Sequence, residues 1–236
     1  MNCNKDKNII SGDDVKPVLQ ARSIFYKLFS DFFYDILEDN SLLDHLFASL
    51  NTLEQMLAMR CDDPVLEDAF QVIREELSNR NEIEHKLARE YTSSFLLGGY
   101  SVNLSASPYF SPTGTMYQEE RSEVKNIYIS SGLKLNTNKK IPEDHLALEL
   151  YYMHYMANRD MSVIDDKSKL INSFRSQADF MENNVYPLVY AVTKASEKKR
   201  NTGFYMSLLI ILKEFVKQDT ETVNCLISDE EELCLD

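Results

Sequence analysis

Apolar residues recur at helical spacing along nearly the whole chain. From Pro17 the series Leu19, Ile24, Phe25, Leu28, Phe29, Phe32, Phe33, Ile36 and Leu37 marks one stripe over several turns, and it predicts a long, mostly buried helix with an aromatic core face. Ser41 to about Arg60 repeats the pattern with Leu42, Leu43, Leu46, Phe47, Leu50, Leu53, Met56 and Leu57. Asp63-Pro64 then combines an N-cap carboxylate with a proline suited to the first helical position, which predicts a helix to about Ser78. Asn81 is placed to cap the next one, where Ile83, Leu87, Tyr91 and Phe95 keep the i, i+4 rhythm until Gly98-Gly99.

Residues 98 to about 115 interrupt the periodicity with Gly, Ser, Asn, two prolines and the aromatics Tyr100, Tyr109 and Phe110. A loop of this length in a compact domain is often functional. Helical spacing resumes at Glu119 to Ser131, with Gly132 as its stop and 134–140 as a polar basic connector. Further helices are expected from Pro142, from Asp165 or Asp166 to Asn184 with a kink or restart at Pro187, and from Gly203 to about Ile227. The resulting expectation is an all-α, single globular domain of about eight to ten helices over 16–227. A disordered lead is expected over 1–15 and a frayed acidic tail over 228–236.

Composition narrows the function. The 6 Gly and 6 Pro leave little room for a many-stranded sheet, and 44% hydrophobic with 27% charged residues is ordinary for a soluble globular chain. The formal charge of −13 disfavours nucleic acid and anionic membrane as partners and suits a basic peptide. No stretch is both long and apolar enough for stable membrane insertion, and the N-terminus lacks the apolar core of a signal peptide. Cys3, Cys61, Cys225 and Cys234 show no paired or zinc spacing and read as reduced thiols. Glu82-x-x-His85 lacks the second pair that a di-iron bundle needs. His145 and His154 fall on opposite sides of a straight helix, so they cannot share a metal. No phosphate-binding glycine loop is present, and neither metal nor cofactor is expected.

The stretch Ile141-Pro142-Glu143-Asp144-His145-Leu146-Ala147-Leu148-Glu149-Leu150 carries the most chemistry. Read locally, Pro142 opens a helix, Glu143 and Asp144 lie at its positive end, and His145, Glu149 and Tyr152 share a polar face at the rim of the core. The segment resembles the E-x-P-x-D-H signature of the TorD/DmsD/NarJ family of cytoplasmic chaperones for molybdenum-cofactor oxidoreductases. Tyr91-Thr92-Ser93-Ser94-Phe95-Leu96-Leu97-Gly98-Gly99 is similar to that family's Y-x-x-L-F-x-G block. Ser107-Pro108-Tyr109, Met116 to Glu120, Phe180 to Pro187 and Thr202 to Asp219 match further blocks in order. Lys140 stands where the signature has its leading Glu, 110–115 is shorter and less aromatic than the usual turn, and the chain has no Trp.

The resemblance implies a cytoplasmic binding protein, not an enzyme. It would hold a molybdopterin oxidoreductase apoenzyme and its twin-arginine leader until cofactor insertion, as a monomer or a domain-swapped dimer. It implies that Asp144 faces a leader arginine with His145 orienting it, that Tyr91, Phe95, Tyr109 and Pro142 shape the adjoining wall, and that Gly98, Pro108, Glu143 and Glu149 complete the site. Two other classes stay open at this stage. One is a helical enzyme or GTP-dependent switch using the Asp144–His145–Glu149 face; the other is a helical adaptor for a folded partner.

Overall fold

The computed structural model describes residues 12–37, 40–79, 81–97, 99, 101–135 and 141–233. The fold is all-α, and among these residues the β structure is one isolated bridge between Ser105 and His145. The helices are α1 (Gly12–Tyr34), α2 (Ser41–Ala58), α3 (Pro64–Ser78), α4 (Ile83–Tyr91), the single turn α5 (Ser107–Phe110), α6 (Glu119–Ser130), α7 (Leu146–Met161), α8 (Lys167–Phe180), α9 (Tyr186–Lys198) and α10 (Phe204–Leu233). A π turn extends α4 over Thr92–Leu96, and a second, Met181–Val185, joins α8 to α9. No described helix is long and apolar enough to cross a membrane.

Two helices organise the core. α1 lies along α7 in the most extensive pairing of the fold, and α10 packs against α3, α8 and α9. Close approach of α1 to α7 is permitted by the fully buried Ala147 and Ala157, and the Ser30 hydroxyl donates to the Ala147 carbonyl at 2.7 Å. The aromatic stripe predicted on α1 is the core: Phe25, Tyr26 and Phe29 surround Phe215 of α10, with ring centroids 5.1–5.7 Å apart. Edge-on packing of this kind adds to burial because the ring edge is positive and the face negative.

Capping follows the sequence at some ends and departs at others. Asp63 accepts from the Val65 N–H and Pro64 opens α3, as expected. Gly132 ends α6 at φ +83°, also as expected. The helix expected from Pro17 instead starts at Gly12, which places Pro17 inside it and removes residues 12–15 from the expected lead; Val15 and Leu19 are buried there and anchor the turn. Asn81 does not cap α4; the residue before the helix is Glu82, in the left-handed region at φ +57°. The restart expected at Pro187 is seen as α9 beginning at Tyr186 with Pro187 in its first turn; the π turn before it, closed by the Tyr186 N–H on the Met181 carbonyl, shifts the hydrogen-bond register where proline has no donor. α10 runs to Leu233, so 228–233 is helical instead of frayed. The helix expected from Pro142 begins at Leu146. Residues 1–11, Gly98, Lys140 and 234–236 lie outside the described residues.

Gly203 is where glycine is required. It has φ +93°, and a Cβ there would sit 3.0–3.1 Å from the Glu90 carboxylate. That carboxylate accepts from the Tyr205 N–H at 2.7 Å and so occupies the amide-rich start of α10.

A buried polar network crosses the bundle. Arg22 of α1 donates through Nε to both Asp219 oxygens at 2.8 and 3.0 Å and through Nη1 to Gln177 at 2.9 Å. Tyr26 donates to Asp219 at 2.7 Å. Gln177 and Ser173 donate to Asp160, each at 2.6 Å. Four helices, α1, α7, α8 and α10, are thereby registered to one another. Removing one charge leaves its partner buried without compensation, so Asp219→Ala should lower stability by about 3–5 kcal/mol. Replacing both groups with apolar residues, as in Arg22→Met with Asp219→Leu, should cost far less. Urea unfolding of the three proteins makes the comparison; a loss under about 1 kcal/mol for Asp219→Ala would show that the network does not set the helix register.

Candidate functional site

Residues 101–106 run extended beside the start of α7 and are tied to it by backbone bonds. The Leu146 N–H donates to the Leu104 carbonyl at 2.7 Å and the Ala106 N–H to the Asp144 carbonyl at 2.9 Å. Val102 N–H reaches Ser94 at 2.8 Å, so the same strand of chain is fixed to the π turn after α4. Pro142, Glu143 and Asp144 form a turn closed by the His145 N–H on the Pro142 carbonyl at 3.1 Å, which is why α7 begins after them. His145 is extended, with ψ 136°, and its ring nitrogen accepts from the Ala147 N–H, so the histidine itself is the N-cap.

Asp144 is 0% exposed. Its Oδ2 accepts from the backbone N–H of Ser107, at 2.8 Å, and from the Ser107 hydroxyl. The same hydroxyl accepts from the Gln118 N–H at 3.3 Å, which closes the 107–118 loop on itself. Tyr109 donates to the Asn103 carbonyl at 2.7 Å; its burial pushes the phenol up to about 12. A single carboxylate thus positions the short helix α5, the loop after it and the entry to α7.

One turn into α7 lies Glu149, also 0% exposed, with neither carboxyl oxygen hydrogen-bonded among the described residues. Burial, and secondly the neighbouring Asp144 charge, raise its pKa well above the ordinary carboxylate range. Burial pushes His145 down to about 4, which keeps the imidazole neutral and free to accept at the cap. Tyr128 donates to the Glu143 carbonyl at 3.1 Å and packs on Tyr152, with centroids 5.2 Å apart.

The accessible chemistry lies one residue before Asp144. Glu143 accepts from Nε of Arg121 through Oε2, and its Oε1 lies 3.4 Å from the Lys125 ammonium. Burial raises its pKa most, but the Arg121 hydrogen bond and charge, a backbone N–H and Lys125 together hold it below the ordinary range. Arg121 also sits 5.1 Å from the ring centroid of Tyr117, which is 57% exposed. Phe110, on the same Asp144-anchored loop, is 46% exposed.

Residues 59–193 match the family model described as nitrate reductase delta subunit, which is more than half of the chain. The chain belongs to the TorD/NarJ family. It is similar over most of its length to proteins named "Chaperone protein TorD". That of Vibrio parahaemolyticus is 24% identical over 208 residues, covering 88% of this chain and 96% of the relative. That of Shewanella piezotolerans is 26% identical over 226 residues, covering 90% and 96%. That of Vibrio cholerae is 20% identical over 219 residues, covering 92% and 98%.

In this TorD/NarJ-family chain the residues singled out in the sequence divide by burial. Tyr91 and Phe95 are core, not groove wall: the Tyr91 hydroxyl donates to the Phe33 carbonyl at 3.1 Å, and both rings pack on Tyr205 at 5.3 and 5.6 Å. Pro142 is buried in the turn and does not open a helix. Asp144 and Glu149 face inward, because the ladder to 104–106 turns the segment away from solvent; of the polar rim expected for His145, Glu149 and Tyr152, Glu149 and Tyr152 are therefore interior. On the Asp144–His145–Glu149 face weighed for an enzyme, both carboxylates are buried. Pro108, Tyr109, Glu143 and His145 keep partial exposure. The sequence reading gave no role to Arg121, Lys125 or Ser107. Ser107 before Pro108 was the available signal, since a hydroxyl followed by proline often marks a helix start.

Two measurements follow from this geometry. Asp144→Ala strands the buried Ser107 N–H and should cost about 1–3 kcal/mol of stability, whereas Ser107→Ala keeps that N–H paired and should cost about 0.5–1.5 kcal/mol. Equal, negligible losses in urea unfolding would mean that Asp144 does not hold the loop. Glu149 has its pKa raised in the folded state, so its contribution to stability is fully present below the ordinary glutamate range and is lost as pH rises through the raised value. Glu149→Gln keeps the neutral shape without the titration. As pH rises above the ordinary glutamate range the wild type should lose stability relative to Glu149→Gln, and parallel pH profiles would contradict a raised Glu149 pKa.

Proposed function

We propose that this chain is a cytoplasmic maturation chaperone that acts by binding a molybdopterin oxidoreductase apoenzyme together with its twin-arginine leader until the cofactor is inserted, and that it catalyses no reaction. Support comes first from family membership and from relatives named as TorD chaperones along nearly their whole length. The observation that carries the placement of the site is the loop held by Asp144, which leaves Phe110 and Tyr117 exposed on a chain of net charge −13. Exposed aromatics anchored on a rigid loop suit the apolar run of a leader, and the acidic field suits its arginines. Glu143 replaces Asp144 as the carboxylate that meets an arginine, because Asp144 has no surface from which to do so.

The test is isothermal titration with a synthetic peptide carrying two adjacent arginines followed by an apolar run. Wild type should bind, more weakly as salt rises because the charges are exposed. Phe110→Ser combined with Tyr117→Ser should weaken binding by about tenfold or more, since burying either side chain is worth about 1.5–3 kcal/mol. The acidic control variant Glu231→Ala should match wild type. Undiminished binding by the double variant would place the peptide elsewhere.

A further inference from the structure

Arg121 makes an arrangement that an ordinary surface ion pair does not need. Its guanidinium meets the Glu143 carboxylate through Nε and the Tyr117 ring at 5.1 Å at the same time. A planar, weakly hydrated fork can satisfy both contacts, whereas a lysine ammonium can serve only one well. Tyr117 is held for this contact at a conformational cost. It has φ +63°, a region that bulky residues rarely adopt, and its ring remains mostly in solvent, so core burial does not explain the strain. The next residue, Gln118, is fixed on either side by its N–H to the Ser107 hydroxyl at 3.3 Å and by its side chain to the Met116 carbonyl at 2.9 Å. The Asp144–Ser107 clamp therefore reaches Tyr117 through Gln118.

We propose that the Tyr117 face and the Glu143 carboxylate form a guanidinium site occupied in the free protein by Arg121, and that an arginine of a partner peptide binds there by taking Arg121's place. This rests on the reading of the loop as the leader-binding surface and adds to it an internal competitor. At 35% side-chain exposure the Arg121 guanidinium reaches solvent and has a path out of the site, while Glu143, 18% exposed, stays in place and Lys125, 3.4 Å from its other oxygen, neutralises that oxygen during the exchange. The site then discriminates by shape: an arginine recovers both the carboxylate and the ring, and a lysine recovers only the charge. In the free protein the resident arginine also blocks casual capture of other basic segments, which the acidic surface would otherwise attract.

The experiment titrates wild type, Arg121→Ala, Arg121→Lys, Lys125→Ala and Glu143→Gln with the twin-arginine peptide and with its twin-lysine counterpart. Removing a screened competitor should tighten arginine-peptide binding to Arg121→Ala by about two- to fivefold, with a smaller gain for Arg121→Lys. The lysine peptide should gain much less, and Glu143→Gln should bind the arginine peptide more weakly than wild type. Should Arg121→Ala fail to fold, Arg121→Lys carries the comparison. If Glu143→Gln weakens binding but neither Arg121 variant tightens it, the surface reading stands and the exchange is wrong. If both peptides gain equally with Arg121→Ala, or Lys125→Ala gives the same gain, the effect is general electrostatics and the exchange is wrong. Binding at wild-type strength by every variant, or by none, would overturn the exchange and the surface reading together.

Discussion

A carboxylate without solvent must find its donors inside the protein, and Asp144 finds them on a segment nearly forty positions earlier in the chain. The N–H and hydroxyl of Ser107 converge on one of its oxygens, while its backbone carbonyl takes the Ala106 N–H. Once that contact forms, the path of 101–106 beside α7 is set, and with it the direction in which Tyr109, Phe110 and Tyr117 leave the surface. Val102, Leu104 and Ala106 add apolar burial to the first part of this path, and beyond Ser107, where Phe110 and Tyr117 are exposed, the Asp144 carboxylate supplies the hold. The loop borrows its rigidity from α7, the helix most completely packed against α1.

This arrangement explains which parts of the molecule the sequence made legible. Elements defined by local patterns were readable: the Asp63-Pro64 start of α3, the Gly132 stop, and the α1 aromatic stripe whose rings meet Phe215. The motif around Pro142 was readable as important but not in its geometry. Local rules put Pro142 and two carboxylates in a helical first turn facing water, and they carry no information about the strand-like segment that competes for those backbone groups. The same limit applies to Tyr91 and Phe95. Their helical spacing is equally compatible with a groove wall and with the core, and only the presence of Tyr205 and Phe33 across the bundle decides for the core. Arg121 and Lys125 were invisible because a basic residue on a polar helix carries no signal until its partner is placed.

Two buried polar systems stand at opposite levels of completion. In the Arg22–Asp219–Gln177–Asp160 network every carboxylate oxygen has a donor, though Nη2 of Arg22 has no acceptor among the described residues. Around Asp144, the remaining oxygen and both oxygens of Glu149 have no donor among them. A filled network fixes helix register at modest net gain, because desolvation offsets much of the attraction. An incompletely filled one is costly unless a proton neutralises it, and the raised pKa of Glu149 is the expression of that cost. The two systems therefore divide the work: one secures the bundle, and the other anchors the segment that carries the accessible residues.

If the chain binds a leader as proposed, the division also bears on how a strongly acidic protein would be selective. A net charge of −13 attracts any basic chain over distances comparable with the Debye length of about 10 Å, without regard to its sequence. Selectivity has to come from contacts that only the right side chain completes, and those contacts must be held still. A surface carboxylate on a mobile loop would select for charge alone. Glu143 instead follows directly on the Pro142 turn and precedes the buried Asp144, and the ring opposite it is fixed through Gln118 and Ser107 to that same Asp144. On the proposed reading, burial of one carboxylate gives its neighbour the defined geometry in which a planar guanidinium would be told from a point charge.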